Sequence, residues 1–135
     1  MALDEIKRYL SSPPILIPPQ RGKPFRLYLS TDGMVVSSAL IQEFDGKQRV
    51  IYYLSRRLID AETRYSAIEK LCLCLYFSCI MLRQYLLSAE CTVICKDDVV
   101  RYMLSMPIMS GRIGKWILAL WEFDLVTNRL KRLKD

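Results

Sequence analysis

Twenty lysines and arginines, fourteen aspartates and glutamates, five cysteines and no histidine are the chemically active side chains of this 135-residue chain. Without histidine there is no Cys/His zinc site, no Ser-His or Cys-His nucleophile pair and no imidazole pH switch. The cysteines are Cys72, Cys74, Cys79, Cys91 and Cys95, and the first three fall inside one apolar run. Their odd number and spacing fit no disulfide framework, which predicts reduced, buried thiols and an intracellular protein. The net charge is +6, and from Arg101 onward seven basic residues face three acidic ones. Such a balance favours an anionic partner, nucleic acid or an acidic protein surface, and equally suits a plain solubilising face.

The elements that must position these groups are legible in the patterning. A 52% hydrophobic, 25% charged composition is that of one globular domain. Leu3, Ile6, Tyr9 and Leu10 recur at helical spacing, and Ser11-Ser12-Pro13-Pro14 stops that short helix. Pro18-Pro19 and Arg21-Gly22-Lys23-Pro24 read as a linker. Strands are predicted over 25–31, 35–44 and 49–54, with Asp45-Gly46 as the hairpin turn between the last two. Ser66 and Glu69 form an S-x-x-E capping box ahead of an apolar run, predicting a helix over 66–87. Being apolar nearly all round, it should lie between layers. A short strand follows over 91–95, helices over 99–104 and 111–121, and a last strand over 123–127. The order β-β-β-α-β-α-α-β implies a mixed α/β sheet covered by helices. The expected units are residues 1–24 as helix and linker, 25–128 as the domain and 129–135 as a basic tail. The longest apolar run, Leu71 to Leu82, is shorter than the roughly 20 residues a bilayer requires. With Asp4 and Glu5 in place of an apolar signal region, the expected location is cytoplasmic or nuclear.

That order resembles the RNase H fold, and four stretches carry the resemblance further. Leu54-Ser55-Arg56, Asp60-Ala61-Glu62-Thr63-Arg64-Tyr65-Ser66 and Ile68-Glu69-Lys70-Leu71 are similar to the family's passage from third strand to long helix. Tyr102-Met103-Leu104, Pro107-Ile108-Met109-Ser110-Gly111-Arg112 and Lys115-Trp116 resemble the segment after the fourth strand. Glu122-Phe123-Asp124-Leu125 resembles the start of the fifth strand. Leu10-Ser11-Ser12-Pro13-Pro14-Ile15-Leu16 is similar to the connection leading from a reverse transcriptase into its RNase H region. The whole looks like the RNase H-like domain of a plant gypsy-type retrotransposon polyprotein, truncated before the family's last helix.

The resemblance implies a site of four carboxylates holding two divalent ions that activate water and stabilise the leaving oxygen. The family takes one Asp from the first strand, one Glu from the long helix, one Asp at the end of the fourth strand and one Asp from a C-terminal helix. Here Ser30 stands at the first position, and Asp32 two residues on suits a turn beside Gly33. Glu69 matches the helix position, where it serves as metal ligand or as helix cap. Asp97 or Asp98 matches the third, and the other is solvated or caps the next helix. The fourth is missing.

The resulting expectation is a catalytically inactive RNase H-like domain that acts as a protein-interaction, even self-associating, module. No cofactor is expected unless residual nuclease activity survives, when Mg or Mn would bind weakly at Glu69, Asp97 and Asp98. The lost helix should expose an apolar partner surface around Trp116, Leu120 and Trp121, whose tryptophans otherwise serve the core. A third function is nucleic-acid binding without cleavage, through Arg112, Lys115, Arg129, Lys131, Arg132 and Lys134.

Overall fold

The computed structural model describes residues 18–96, 98–105 and 111–127. Three antiparallel strands come first: β1 Phe25–Thr31, β2 Val35–Phe44 and β3 Lys47–Arg57. Alternation sends Phe25, Leu27 and Leu29 to one face of the sheet and Tyr28 to the other. The Asp45-Gly46 hairpin is as expected: φ is 50° and 76°, and Phe44 pairs with Lys47 across a two-residue turn. β3 runs longer than predicted at both ends, and a bulge opposite Leu40 and Ile41 shifts its register with β2 by one residue.

A single 3-10 turn, Glu62–Arg64, leads into helix α1, Ala67–Met81. The capping box is formed, with the Ser66 amide donating to Glu69 Oε1 at 3.1 Å and the Glu69 amide to Ser66 Oγ at 3.3 Å. Leu71 to Leu75 are all buried, as a helix between layers requires. The continuous helix expected to residue 87 is corrected. It breaks at Leu82 (φ −106°, ψ 20°) and resumes for one turn as α2, Arg83–Leu86. The physical reason is packing: the change of direction keeps Leu82 and Leu86 both in the core and sets Tyr85 edge-on to Phe25.

β4 Cys91–Ile94, α3 Val99–Ser105, α4 Gly111–Leu120 and β5 Leu125–Thr127 complete the described chain. β5 starts two residues later than predicted, because Phe123 is drawn wholly into the core and its amide donates to Leu120 O. The sheet order is β3-β2-β1-β4-β5, with β4 parallel to β1 and β5 parallel to β4. The main core lies between the sheet and the helices. Tyr28, Ala39, Ile41 and Val50 form a second cluster. The predicted N-terminal helix and the basic tail lie outside the described residues.

α1 and α4 run side by side, joined along one seam. Arg112 NH2 donates to Glu69 Oε2 at 3.2 Å at the start, and Tyr76 stacks on Trp116 at 5.9 Å in the middle. Beyond the helix ends, Arg83 holds Glu122 with two bonds of 2.8 Å.

Candidate functional site

The parallel pairing of β1 with β4 sets the site. Tyr28 is in register with Ile94, so Ser30, still paired within β1, and Lys96, just past the end of β4, lie at the same end of the sheet. There a surface cleft of about 220 Å³ opens, lined by Leu29, Ser30, Thr31, Lys96 and, from the first turns of α1, Ala67 and Leu71. Lys70 donates from its ammonium to Gly33 O at 2.9 Å and ties the β1–β2 turn to α1. Asp32 is taken up by that turn: its Oδ1 accepts from the Met34 and Val35 amides at 2.9 and 2.8 Å.

Glu69 is spent on structure from both oxygens, Oε1 on the Ser66 amide and Oε2 on Arg112. The Ser66 amide, helped by the Ser66 hydroxyl and Arg112, holds the Glu69 carboxyl below its ordinary value of 4.5 against the opposing effect of burial. Asp98 caps α3, its Oδ1 accepting from the Arg101 amide at 3.0 Å. Asp97 lies outside the described residues.

Two divalent ions require several hard oxygen donors converging from different elements. The described residues do not offer them. No group of three or more His, Cys, Asp or Glu among them could hold a metal ion. The cleft is lined by Ser30, Thr31 and Lys96 and by no carboxylate among the described residues, and a lysine brings positive charge to a place where cations would have to bind. The described residues therefore do not fit a two-metal centre.

Lys115 is exposed on α4, and Arg112 lies on Glu69 and over the Tyr65 ring, 4.1 Å from its centroid. Arg129, Lys131, Arg132 and Lys134 lie outside the described residues. An exposed surface at Trp116 and Leu120 is corrected: Trp116 is 8% exposed and Leu120 0%. Each fills the core because α4 turns that side toward α1 and the sheet. Trp121, at 45%, is exposed. No disulfide links the five cysteines, and four of them are buried. Burial pushes the Cys72 and Cys74 thiols up to about 12 and raises those of Cys79 and Cys91 as well. Two features escaped the sequence reading. Lys96 could have been found by extending the β1–β4 register; the Glu69–Arg112 pair spans 43 residues and leaves no local signal.

The RNase H-like domain found in reverse transcriptase matches residues 20–123. The chain is 28% identical over 124 residues to the Pol polyprotein of transposon opus from Drosophila melanogaster. That match covers 91% of this chain and 12% of the relative. It is 25% identical over 138 residues to the Gag-Pol polyprotein of Walleye dermal sarcoma virus, covering 96% of this chain and 7% of that one. The chain thus spans a small part of the polyproteins it matches. In fold it is similar to the protease-reverse transcriptase of Prototype Foamy Virus, with a TM-score of 0.68 and 17% identity. That likeness covers 98% of this chain and 19% of the viral one. A foamy viral protease-reverse transcriptase in complex with RNA/DNA hybrid gives a TM-score of 0.64 at 17% identity, over 94% of this chain and 18% of the other. On the family match over residues 20–123, which meets the strand order and helix positions found here, the chain belongs to the RNase H-like domains found in reverse transcriptase.

Proposed function

We propose that this chain is a non-hydrolytic RNase H-like module of a retroelement polyprotein, of plant gypsy type, whose work is binding a protein partner or a second copy of itself. The observation that carries the reading is the composition of the cleft. Ser30 and Lys96 stand at the ends of β1 and β4, and the carboxylate of α1 is committed to Ser66 and Arg112. A partner surface is supported by Ile80, Met81, Leu87, Leu118 and Trp121. These exposed apolar side chains come from the ends of α1, α2 and α4, where Arg83 and Glu122 join them. No described helix is long and apolar enough to cross a membrane.

The test is incubation of the purified, folded protein with a labelled RNA–DNA hybrid in magnesium and in manganese, with Glu69→Gln as control. No cleavage in either metal is the expected result. Cleavage that vanishes in the control overturns the reading and restores a weak metal-dependent nuclease using Glu69 with Asp97 or Asp98. A second reading, nucleic-acid binding without cleavage, is favoured by the +6 net charge and by the nucleic acid bound to a foamy viral relative. It requires an affinity for the hybrid that falls steeply with added salt.

A further inference from the structure

We infer that the Arg112 guanidinium is the resident counter-cation of the Glu69 carboxylate, supplying the positive charge a metal ion would otherwise bring, and that this pair locks α4 to the start of α1. The inference rests on the reading that the cleft holds no divalent ions, and it adds what has taken their electrostatic place. Glu69 Oε2 accepts from Arg112 NH2 at 3.2 Å while Oε1 stays with the Ser66 amide. An arriving ion would have to displace the guanidinium from one oxygen or break the helix cap at the other.

Arg112 is itself held on a second side. Its Cζ lies 4.1 Å from the Tyr65 ring centroid, Tyr65 is 6.3 Å from Trp116, and Trp116 stacks on Tyr76 at 5.9 Å. Trp116 follows Arg112 by one turn of α4, and Tyr76 follows Glu69 by two turns of α1, so ion pair and ring stack share one seam. A planar guanidinium can pair in its plane and stack on its face together, which an ammonium cannot. Glu69 and Arg112 side chains are 21% and 49% exposed, so solvent screens the pair and its effect is modest. Arg112 is also thereby drawn away from phosphate contacts, while Lys115 is exposed on that helix face with no ion pair among the described residues.

The test is a double-mutant cycle read by thermal unfolding, with millimolar magnesium and manganese as the probes. Glu69→Gln removes the charge yet keeps a residue able to complete the capping box. Arg112→Met keeps length and removes both charge and stack. Each variant should lower Tm by about 2–4 °C. The double variant should lose less than the sum, and neither metal should move the wild-type Tm. Should Arg112→Met fail to fold, Arg112→Gln, which removes the charge and keeps a polar donor, carries the same cycle. Additive losses overturn the proposal, as does a manganese-induced rise in the wild-type Tm that Glu69→Gln removes. Metal-dependent hybrid cleavage alongside a non-additive cycle would sink the non-hydrolytic reading and with it the counter-cation role, leaving only the ion pair; additive losses without cleavage would sink the pair and leave the non-hydrolytic reading.

Discussion

Ser66 and Glu69 serve each other through backbone and side chain at once, so each should be costly to lose in its own way. Ser66→Ala leaves the Glu69 amide without its acceptor and should cost about 1 kcal/mol in urea denaturation. Glu69 has a pH signature. Its folded carboxyl is held below the ordinary 4.5, so its contribution is fully present above that value and is lost as pH falls through the lowered one. The stability gap between wild type and Glu69→Gln should therefore be widest near neutrality and close below about pH 4.5. A gap that stays constant to pH 3 would show that the carboxyl has the same affinity for protons folded and unfolded. The cap was legible in the sequence because its two residues sit three apart. Asp98 shows the opposite case: sequence placed it at the right strand end yet left cap and ligand open, and only the bond from the Arg101 amide chooses the cap. Arg112 was legible as a cation and illegible as a partner, because Glu69 lies 43 residues away.

Elements were read best where a local rule fixes them. Asp45-Gly46 is such a place, with both residues at positive φ. Gly46→Ala would place a Cβ in open space, so only the left-handed backbone is penalised, by roughly 1–2 kcal/mol, and the check is equilibrium unfolding in denaturant. Leu75 is the contrasting case. It is wholly buried in α1 among the residues that join sheet and helices, and Leu75→Ala should cost about 2–5 kcal/mol by transfer and cavity terms. An equal cost at the two positions would contradict the burial. The break at Leu82 was not legible, since no proline or glycine marks it. It comes from tertiary packing, with Leu82 and Leu86 buried in the core and Tyr85 edge-on to Phe25 of the first strand, which overrides the propensity of a continuous apolar run. The start of β5 failed for the same reason, Phe123 being pulled inward before the strand begins.

At the scale of the whole molecule, the five thiols report on cooperativity. Cys72, Cys74, Cys79 and Cys91 are buried, in α1 and β4, with thiols pushed up by burial; Cys95 is half-buried. A neutral-pH thiol reagent should label Cys95 first in native protein, and the other four only at the rate of opening of the core. Five thiols reacting together at the fast rate would mean that the sheet–helix core is not closed.

The outward end of the α1–α4 seam raises the last question at this scale, which is association. Leu118 and Trp121 lie three residues apart, and Ile80, Met81 and Leu87 come from the elements that Arg83 ties to Glu122. An exposed tryptophan next to an ion pair that ties the helix ends together is the residue to test as an interface anchor. The sequence pointed to α4 and to Trp121, but it assigned Trp116 and Leu120 to the same surface. Helical phase separates them: Ile113, Trp116, Ile117 and Leu120 face inward, while Lys115, Leu118 and Trp121 face out. The prediction follows that phase. Trp121→Ser should leave Tm within about 2 °C, as expected for an exposed site. In sedimentation across a concentration series it should shift any oligomer of the wild-type protein toward monomer by at least tenfold, the change expected of an anchor worth more than about 1.4 kcal/mol. Trp116→Ser should do the reverse, unfolding the seam with no separable effect on association. A wild-type protein that is monomeric throughout the series, and unchanged by Trp121→Ser, would exclude self-association and move the search to a different protein partner.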